Sequence, residues 1–494
     1  MFKSLNLFTS KDFYFLICFA AIHLLIAGSI ELSTDEAHYA LYASHLDWSY
    51  FDHPPLVGWV QWLFYLLNGS DVAMRMVPMA CWLITAWMLV KIANDFFPNQ
   101  TPPRIAGIRL DLILYSASII PNLLGIALVP DTLLTVLGCG VMSITWKILN
   151  VEKPNIIDFV VLGILLGLSG LAKYTAVFFA ISVFILLALK YSWRMIKNPG
   201  IWIAFLIALV VVSPVFLWNY THDWISFKYQ IHHASGASEK SVLHALRYFL
   251  ILCCCYSLFL PFFVVALFKS CSVRDLISNI PSPAWVTLIF CMPSFSLWIY
   301  LASGGNTLPH WAMPSIVMML PYVSYKLKDV LINSALRNFF LALQFLFLLL
   351  FFSLLLSGGY PVFKDSDSYG KDRIANPFSD VFGWRRASEK ALELMKVNEL
   401  DSIAVPEWFL ASRLAWYAKN VPVKVINSHD DQFNIWFGSV DYSKSLIFLK
   451  WSQIPSDLPV GDGKYINCQY LDKLEIKNRL IQMSEFEYYI CRSN

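Results

Sequence analysis

The chain has 494 residues, 57% of them hydrophobic and 14% charged, with a formal net charge of +3. A soluble protein carries about 25% charged residues, so this composition excludes an ordinary globular enzyme and indicates an integral membrane protein. The small net charge gives no footprint for nucleic acid.

Residues 13–32 form an almost unbroken apolar run in which only His23 and Glu31 can ionise. At about 1.5 Å per residue the run can cross a ~30 Å hydrocarbon layer. No small-residue cleavage site follows it, so it reads as a retained signal anchor. Residues 37–47 then show amphipathic helical spacing, Pro54 and Pro55 break the chain, and residues 56–67 are apolar but too short to span. Two interfacial helices flanking an Asp-His-Pro-Pro turn are expected here, with Trp48, Trp59, Trp62 and Tyr65 suited to the membrane–water boundary. Further spans are expected near 73–94, 108–125, 132–149, 156–172, 174–190, 201–218, 248–268, 285–301, 311–325 and 336–357, which makes eleven with the first. The Gly-rich stretch GLSGLAKY separates 156–172 from 174–190 by a turn.

Basic residues crowd one set of loops and span ends, Lys3, Lys91, Arg104, Arg109, Lys190, Arg194 and Arg274 among them. The opposite set holds Arg75, Lys173, Lys228, Lys240 and Arg247. The excess of Lys and Arg marks the cytoplasmic side. The N-terminus is therefore expected in the cytoplasm, with the loop 33–72 and the C-terminal part outside.

From about Gly358 the sequence turns polar. A transmembrane region, 1–357, is expected to give way to a small soluble α/β domain, 358–494. That domain should contain helices at 385–400 and 407–419 and strands at 402–405, 423–427, 445–449 and 488–491. The helix between two strands reads as a crossover unit. With no Gly-rich phosphate loop, HExxH or CxxC, the domain reads as a lid or an acceptor-selecting domain. Of ten cysteines, eight lie in or beside apolar segments and read as small buried hydrophobes. Cys468 and Cys491 sit in the polar part, where a disulfide can form if that part meets an oxidising compartment.

The chemistry is concentrated in the first outward loop. The stretch STDEAHYALYASHLDWSYFDHPPLVGWV, residues 33–60, carries Asp35, Glu36, Asp52 and His53 but no Lys or Arg. A lone acid at the mouth of a span is ordinarily a solvated group. Two adjacent acids ahead of an interfacial helix are placed where a lower dielectric strengthens their interactions and suits one of them to general-base work.

This stretch resembles the first outward loop of membrane-embedded GT-C glycosyltransferases, in particular the bacterial aminoarabinose and galacturonic acid transferases, with protein O-mannosyltransferases as more distant relatives. Five later segments resemble the same family in order: PNLLGIALVPDTLL, GLSGLAKYTA, SPVFLWNYTHDWISFKYQ, GGNTLPHWAMP and NPFSDVFGW. The resemblance implies an α-helical polytopic membrane protein that transfers a sugar from a polyprenyl phosphate to an acceptor outside the cytoplasm, with inversion. It implies residence in a bacterial inner membrane, with the active site and C-terminal domain in the periplasm. The implied partners are the lipid-linked donor, a lipid or glycan acceptor such as lipid A or core oligosaccharide, and the surrounding lipids.

Under that resemblance Asp35 is the expected base, with Glu36 orienting or assisting it. The leaving phosphate needs fixed cations or donors; Lys173, Arg75, Arg247, His53 and His310 are the candidates. Asp131, Tyr174, Asn219, His222, Trp311 and Asp52 are expected to contact sugar or acceptor. A divalent metal held by Asp35 and Asp131 stays open, since branches of the superfamily differ. Each assignment has a plainer alternative: snorkelling or headgroup pairing for the cations, helix capping for Asp131, and structural hydrogen bonds for His53 and His310. His38, His45, His232 and His233 read as interfacial or loop residues. The aromatic segments 298–300 and 339–352 suit a prenyl tail, and lipid-facing helix surface explains them equally well. A protein O-mannosyltransferase-like enzyme and a polytopic flippase are the competing functions. A flippase should carry ionisable groups deep in its spans and related halves; neither is evident. A non-catalytic subunit should lack the paired acids.

Overall fold

The computed structural model describes residues 8–67, 69–235, 240–271, 282–305, 307–330, 333–359, 363–366, 372–419, 421–426, 431–454, 456–461, 464–479 and 481–493. Lys3, Arg274, Asn306 and Asn427, which entered the expectations above, lie outside them, as do the side chains of His232 and His233.

Among the described residues seven helical segments are long and apolar enough to cross a membrane. They are α1 (Ser10–Ala27), α4 (Asp71–Phe96), α7 (Pro130–Asn150), the segment Tyr174–Lys197 containing α9 (Val177–Tyr191), α10 (Pro199–Thr221), and the helices Pro283–Ala302 and Ser334–Ser357. An eighth is counted if α12 (Val242–Cys255) and α13 (Leu260–Ser270) form one span; they are bent by 99°. Eleven spans were expected, and each shortfall has a local cause. The segment 108–125 is broken into α5 (Leu110–Ala117) and α6 (Ile119–Leu123), because Ser118 takes an extended backbone ahead of Pro121. α8 (Ile156–Ala172) is apolar but only 17 residues long. The helix Met313–Val330 ends in Lys326, Lys328 and Asp329.

The described residues form two compact units. The first comprises residues 1–24, 47–57 and 75–349 and includes a short antiparallel hairpin, β1 (Arg104–Ile105) and β2 (Ile108–Arg109). Within it α8 crosses α10 closely. A Cβ on Gly163 would stand 2.5 Å from the Ala204 carbonyl oxygen, and one on Gly167 would stand 2.5 Å from the Val211 Cβ. Gly163, and Gly167 of the GLSGLAKY stretch, therefore admit a neighbouring helix, as small residues do in membrane packing. α8 ends at Lys173, whose extended backbone (φ −160°, ψ 143°) leads into the short turn Tyr174–Ala176. This is the expected turn between 156–172 and 174–190.

The second unit comprises residues 25–46, 58–74 and 350–494. It holds α2 (Thr34–Ser44) and most of α3 (Leu56–Leu67), the two helices expected to flank the Asp-His-Pro-Pro turn. They meet where Gly58 would set a Cβ 2.6 Å from that of Tyr42. Two hairpin strands, β3 (Phe363–Ser366) and β4 (Asp372–Ala375), precede a five-stranded sheet. Its strands are β5 (Ile403–Val405), β6 (Val423–Val425), β7 (Leu446–Trp451), β8 (Asn467–Asn478) and β9 (Ile481–Arg492), in the order β6-β5-β7-β9-β8. β5 is parallel to both β6 and β7, and β9 is antiparallel to β7 and β8. The helix Trp408–Ala418 makes the crossover from β5 to β6, as expected. Sequence reading had missed β8, which pairs Cys468 with Cys491 and joins them in a disulfide. The core combines the helices Trp384–Val397 and Trp408–Ala418, the sheet, and Ala37, Ala40 and Leu41 of α2.

Candidate active site

In the first unit an ion pair anchors the site. Asp131 is the second residue of α7, just after Pro130, so its carboxylate lies at a helix N-terminus, which favours negative charge. It does not cap its own helix. Its two oxygens accept from Lys173 Nζ at 2.7 and 2.8 Å, and both side chains are buried. His310 Nε2 stands 3.8 Å from the same carboxylate, and the Lys173 ammonium lies 5.6 Å from the centre of the Trp311 ring. Trp311 in turn meets Trp298 at 5.3 Å, which makes Trp298 part of the site wall. The third proton of Lys173 has no hydrogen-bond partner among the described residues.

The turn that carries His310 and Trp311, Pro309–Ala312, is fixed from α12. Tyr248 donates to the Leu308 carbonyl at 3.1 Å, and Tyr256 donates to the Pro309 carbonyl at 3.0 Å. Neither tyrosine was singled out from the sequence. The available signal was a hydroxyl in an apolar helix, where it must find a partner.

The Trp-Asn…His-Asp-Trp segment builds a second part of the site. The Trp218 indole donates to Asp47 at 2.9 Å, and His222 stacks on Trp218 with ring centres 3.9 Å apart. Asn219 accepts from the Ser226 backbone at 3.2 Å while donating to the Val215 carbonyl at 3.0 Å. Asp223 and Trp224 both take left-handed backbone angles, φ 53° and 58°, a conformation that costs about 1–2 kcal/mol per non-glycine residue. This sharp turn launches α11 (Ile225–Ser235) across the loop 47–53. Ser226 donates to the Tyr50 carbonyl at 2.7 Å, and Gln230 donates to the Asp52 carbonyl at 2.6 Å. Asn219 and His222, expected to touch sugar, bond within the segment 215–226 and brace the turn that launches α11, whose Ser226 and Gln230 reach the loop 47–53. Asp47, Ser226 and Gln230 join that role unforeseen. Tyr174 is drawn to the same place, beside Ser49, Asn219 and Ser226 and within electrostatic reach of Asp52. The buried hydroxyls of Ser49 and Tyr174 thus face a polar cluster rather than the apolar bundle.

Of the other phosphate candidates, Arg75 is buried in α4. Arg247 is exposed on α12 and has no ion-pair partner among the described residues.

In the second unit, Asp35 and Glu36 sit in the first turn of α2. Glu36 is buried and accepts from both the backbone and the hydroxyl of Ser33 at 3.0 Å, a capping box that fixes the start of the helix. Asp35 is half-buried beside it.

A metal held at Asp131 does not fit these residues, since Lys173 already occupies both carboxylate oxygens. No group of three or more His, Cys, Asp or Glu suited to a metal occurs among the described residues.

Residues 52–218 match the family of dolichyl-phosphate-mannose-protein mannosyltransferases. The match begins at Asp52 and ends at Trp218, and it contains His53, Asp131 and Lys173. Two crystal structures of ArnT from Cupriavidus metallidurans share the architecture. The one bound to undecaprenyl phosphate aligns with a TM-score of 0.59 at 13% identity, over 88% of this chain and 93% of that one. The apo state aligns with a TM-score of 0.56 at 13% identity, over 89% and 93%. The chain shares the fold of these two structures. A curated relative, the lipid A galacturonosyltransferase RgtD of Rhizobium johnstonii, is 26% identical over 209 residues, 40% of this chain. The match spans 41% of that relative's length.

Proposed function

We propose that the protein is a glycosyltransferase that moves a sugar from a polyprenyl-phosphate donor to lipid A or the lipopolysaccharide core, at the outer face of a bacterial inner membrane. The observation that carries this reading is the buried Asp131–Lys173 pair with His310 and Trp311 beside it, in a fold shared with a protein crystallised with undecaprenyl phosphate. A buried charge pair is costly in an apolar bundle and is retained where a charged ligand is handled.

In the proposed reaction the acceptor oxygen attacks the anomeric carbon and the bond from that carbon to the phosphate oxygen breaks, with inversion. The acceptor's proton passes to Asp35. The polyprenyl phosphate leaves with the bonding electrons, and its charge is met by the third ammonium proton of Lys173 and by His310. Asp131 balances the Lys173 charge and fixes the position of its ammonium. The clamped Asp52-His53 turn, with Tyr174 and Ser49, offers donors and acceptors to sugar hydroxyls. The C-terminal domain serves acceptor selection.

The family match at 52–218 favours a second acceptor class, secreted protein. Mass spectrometry of lipid A, core sugars and glycoproteins, with and without the protein, separates the two. In proteoliposomes supplied with polyprenyl-phosphate sugars, the wild type should transfer sugar readily, while Lys173→Ala and Asp35→Asn should keep only a small residual rate. Absence of transfer to any of these acceptors by the wild type would overturn the reading.

A further inference from the structure

Arg413 lies in the helix Trp408–Ala418, and its side chain is buried. The guanidinium stacks 3.7 Å from the centre of the Trp384 ring and 4.8 Å from that of Trp451. Trp384 can lie there because Gly383, at φ 87°, turns the chain into its helix where a Cβ would strike Ile476. Arg413 Nε donates to the Phe409 carbonyl at 3.1 Å, and Nη1 donates to the Asp380 carboxylate.

Asp380 in turn receives two bonds from the first residue of α2. The Thr34 backbone N–H donates to it at 3.2 Å and the Thr34 hydroxyl at 2.8 Å. Asp35 is the next residue along. A carboxylate here satisfies an otherwise unpaired N–H of the helix start and complements its dipole. Arg413 also interacts electrostatically with Asp35. One buried cation thus balances two carboxylates at the beginning of α2.

The alternative explanation is plain packing. Methionine or leucine would fill a slot between two tryptophans without desolvating a charge, and such replacements are often neutral or stabilising. A guanidinium there is explained by what it holds: Asp380, and through Asp380 the first turn of α2.

We propose that Asp380 and Arg413 are positioning residues for Asp35: the relay from Arg413 through Asp380 to Thr34 fixes the first turn of α2 and with it the direction of the Asp35 carboxylate. The inference rests on the reading of Asp35 as the base. It gives the C-terminal domain a share in the chemistry, beyond the choice of acceptor.

The test is steady-state transfer in proteoliposomes by the full-length protein, with thermal midpoints as the fold control. Asp380→Ala should lower kcat about 10- to 100-fold, the scale expected for a displaced catalytic group, with KM for donor and acceptor unchanged. Thr34→Val should act in the same direction, while Thr34→Ser, which keeps both bonds, should restore the wild-type rate. In an Asp35→Asn background the same substitutions should cost nothing further. An equal loss in both backgrounds, or a rise in KM alone, overturns the relay and leaves Asp35 as the base. Transfer by Asp35→Asn at the wild-type rate removes the base assignment and the relay together. Should Asp380→Ala fail to fold, the Thr34 pair decides the matter, since the two variants differ in whether the hydroxyl is kept.

Discussion

Lys173 and Asp131 face each other at hydrogen-bond distance through both carboxylate oxygens, with side chains only 8% and 2% exposed. Breaking a buried pair leaves one uncompensated charge, at a cost of about 3–5 kcal/mol, whereas removing both charges costs much less. Lys173→Met and Asp131→Asn should therefore each lower the thermal midpoint in detergent more than the double variant does. Additive losses would show that the two groups are held independently.

The close crossing of α8 and α10 gives a graded steric prediction. Gly163→Ala places a methyl 2.5 Å from a backbone oxygen, whereas at Gly140 the nearest atom is the flexible end of Leu165 at 3.2 Å. The first should destabilise by roughly 1–3 kcal/mol, and the second should be nearly silent. Thermal midpoints of the two variants check the difference.

His45 supplies a pH dependence. Burial holds its imidazole below the ordinary histidine range, opposed by a bond to the Leu41 carbonyl, and its ring stacks on Trp436 at 4.9 Å. The unfolded chain therefore takes up this proton first as pH falls. The stability tied to neutral His45 is fully present above pH ~6.5 and is lost as pH drops below it towards the depressed folded value. His45→Phe keeps an aromatic ring against Trp436 and removes the titration. The fall in thermal midpoint between pH 7.5 and 5 should be smaller in this variant than in the wild type.

The Cys468–Cys491 disulfide should leave both thiols unreactive to maleimide until a reductant is added. It closes a loop with a sequence separation of 23, for which chain entropy predicts about 3 kcal/mol of stabilisation. A Cys468→Ser/Cys491→Ser variant should unfold at a lower temperature. Labelling of either cysteine before reduction would contradict the bond.

The sequence was most legible where one local rule governs. The twelve apolar residues of α3 are bounded by Pro55 and Gly69, and their helix appears at the expected residues. The crossover from β5 through Trp408–Ala418 to β6 followed from its apolar pattern. β8 escaped because it is an edge strand with several exposed polar side chains, and its partner β9 and the disulfide place it. The grouping of the candidate site residues was less legible. Asp131, Lys173, His310 and Trp311 come together from three separate elements, α7, the end of α8 and the turn Pro309–Ala312, and no spacing in the chain encodes that. Asn219 and His222 looked like ligand contacts, yet their own bonds run to the turn around Asp223. That purpose emerges only once the left-handed backbone angles are seen.

The membership of α2 in the sheet unit sets a practical limit on dissection of the protein. A soluble fragment cut just after the helix Ser334–Ser357 would lose the partner that covers Ser412, Trp408, Phe433 and Trp436, all of which meet His38 of α2. Such a fragment would expose an aromatic socket and tend to aggregate. Supplying residues 25–46 as a fused or added peptide is the direct remedy, and its uptake would offer a fluorescence assay for assembly.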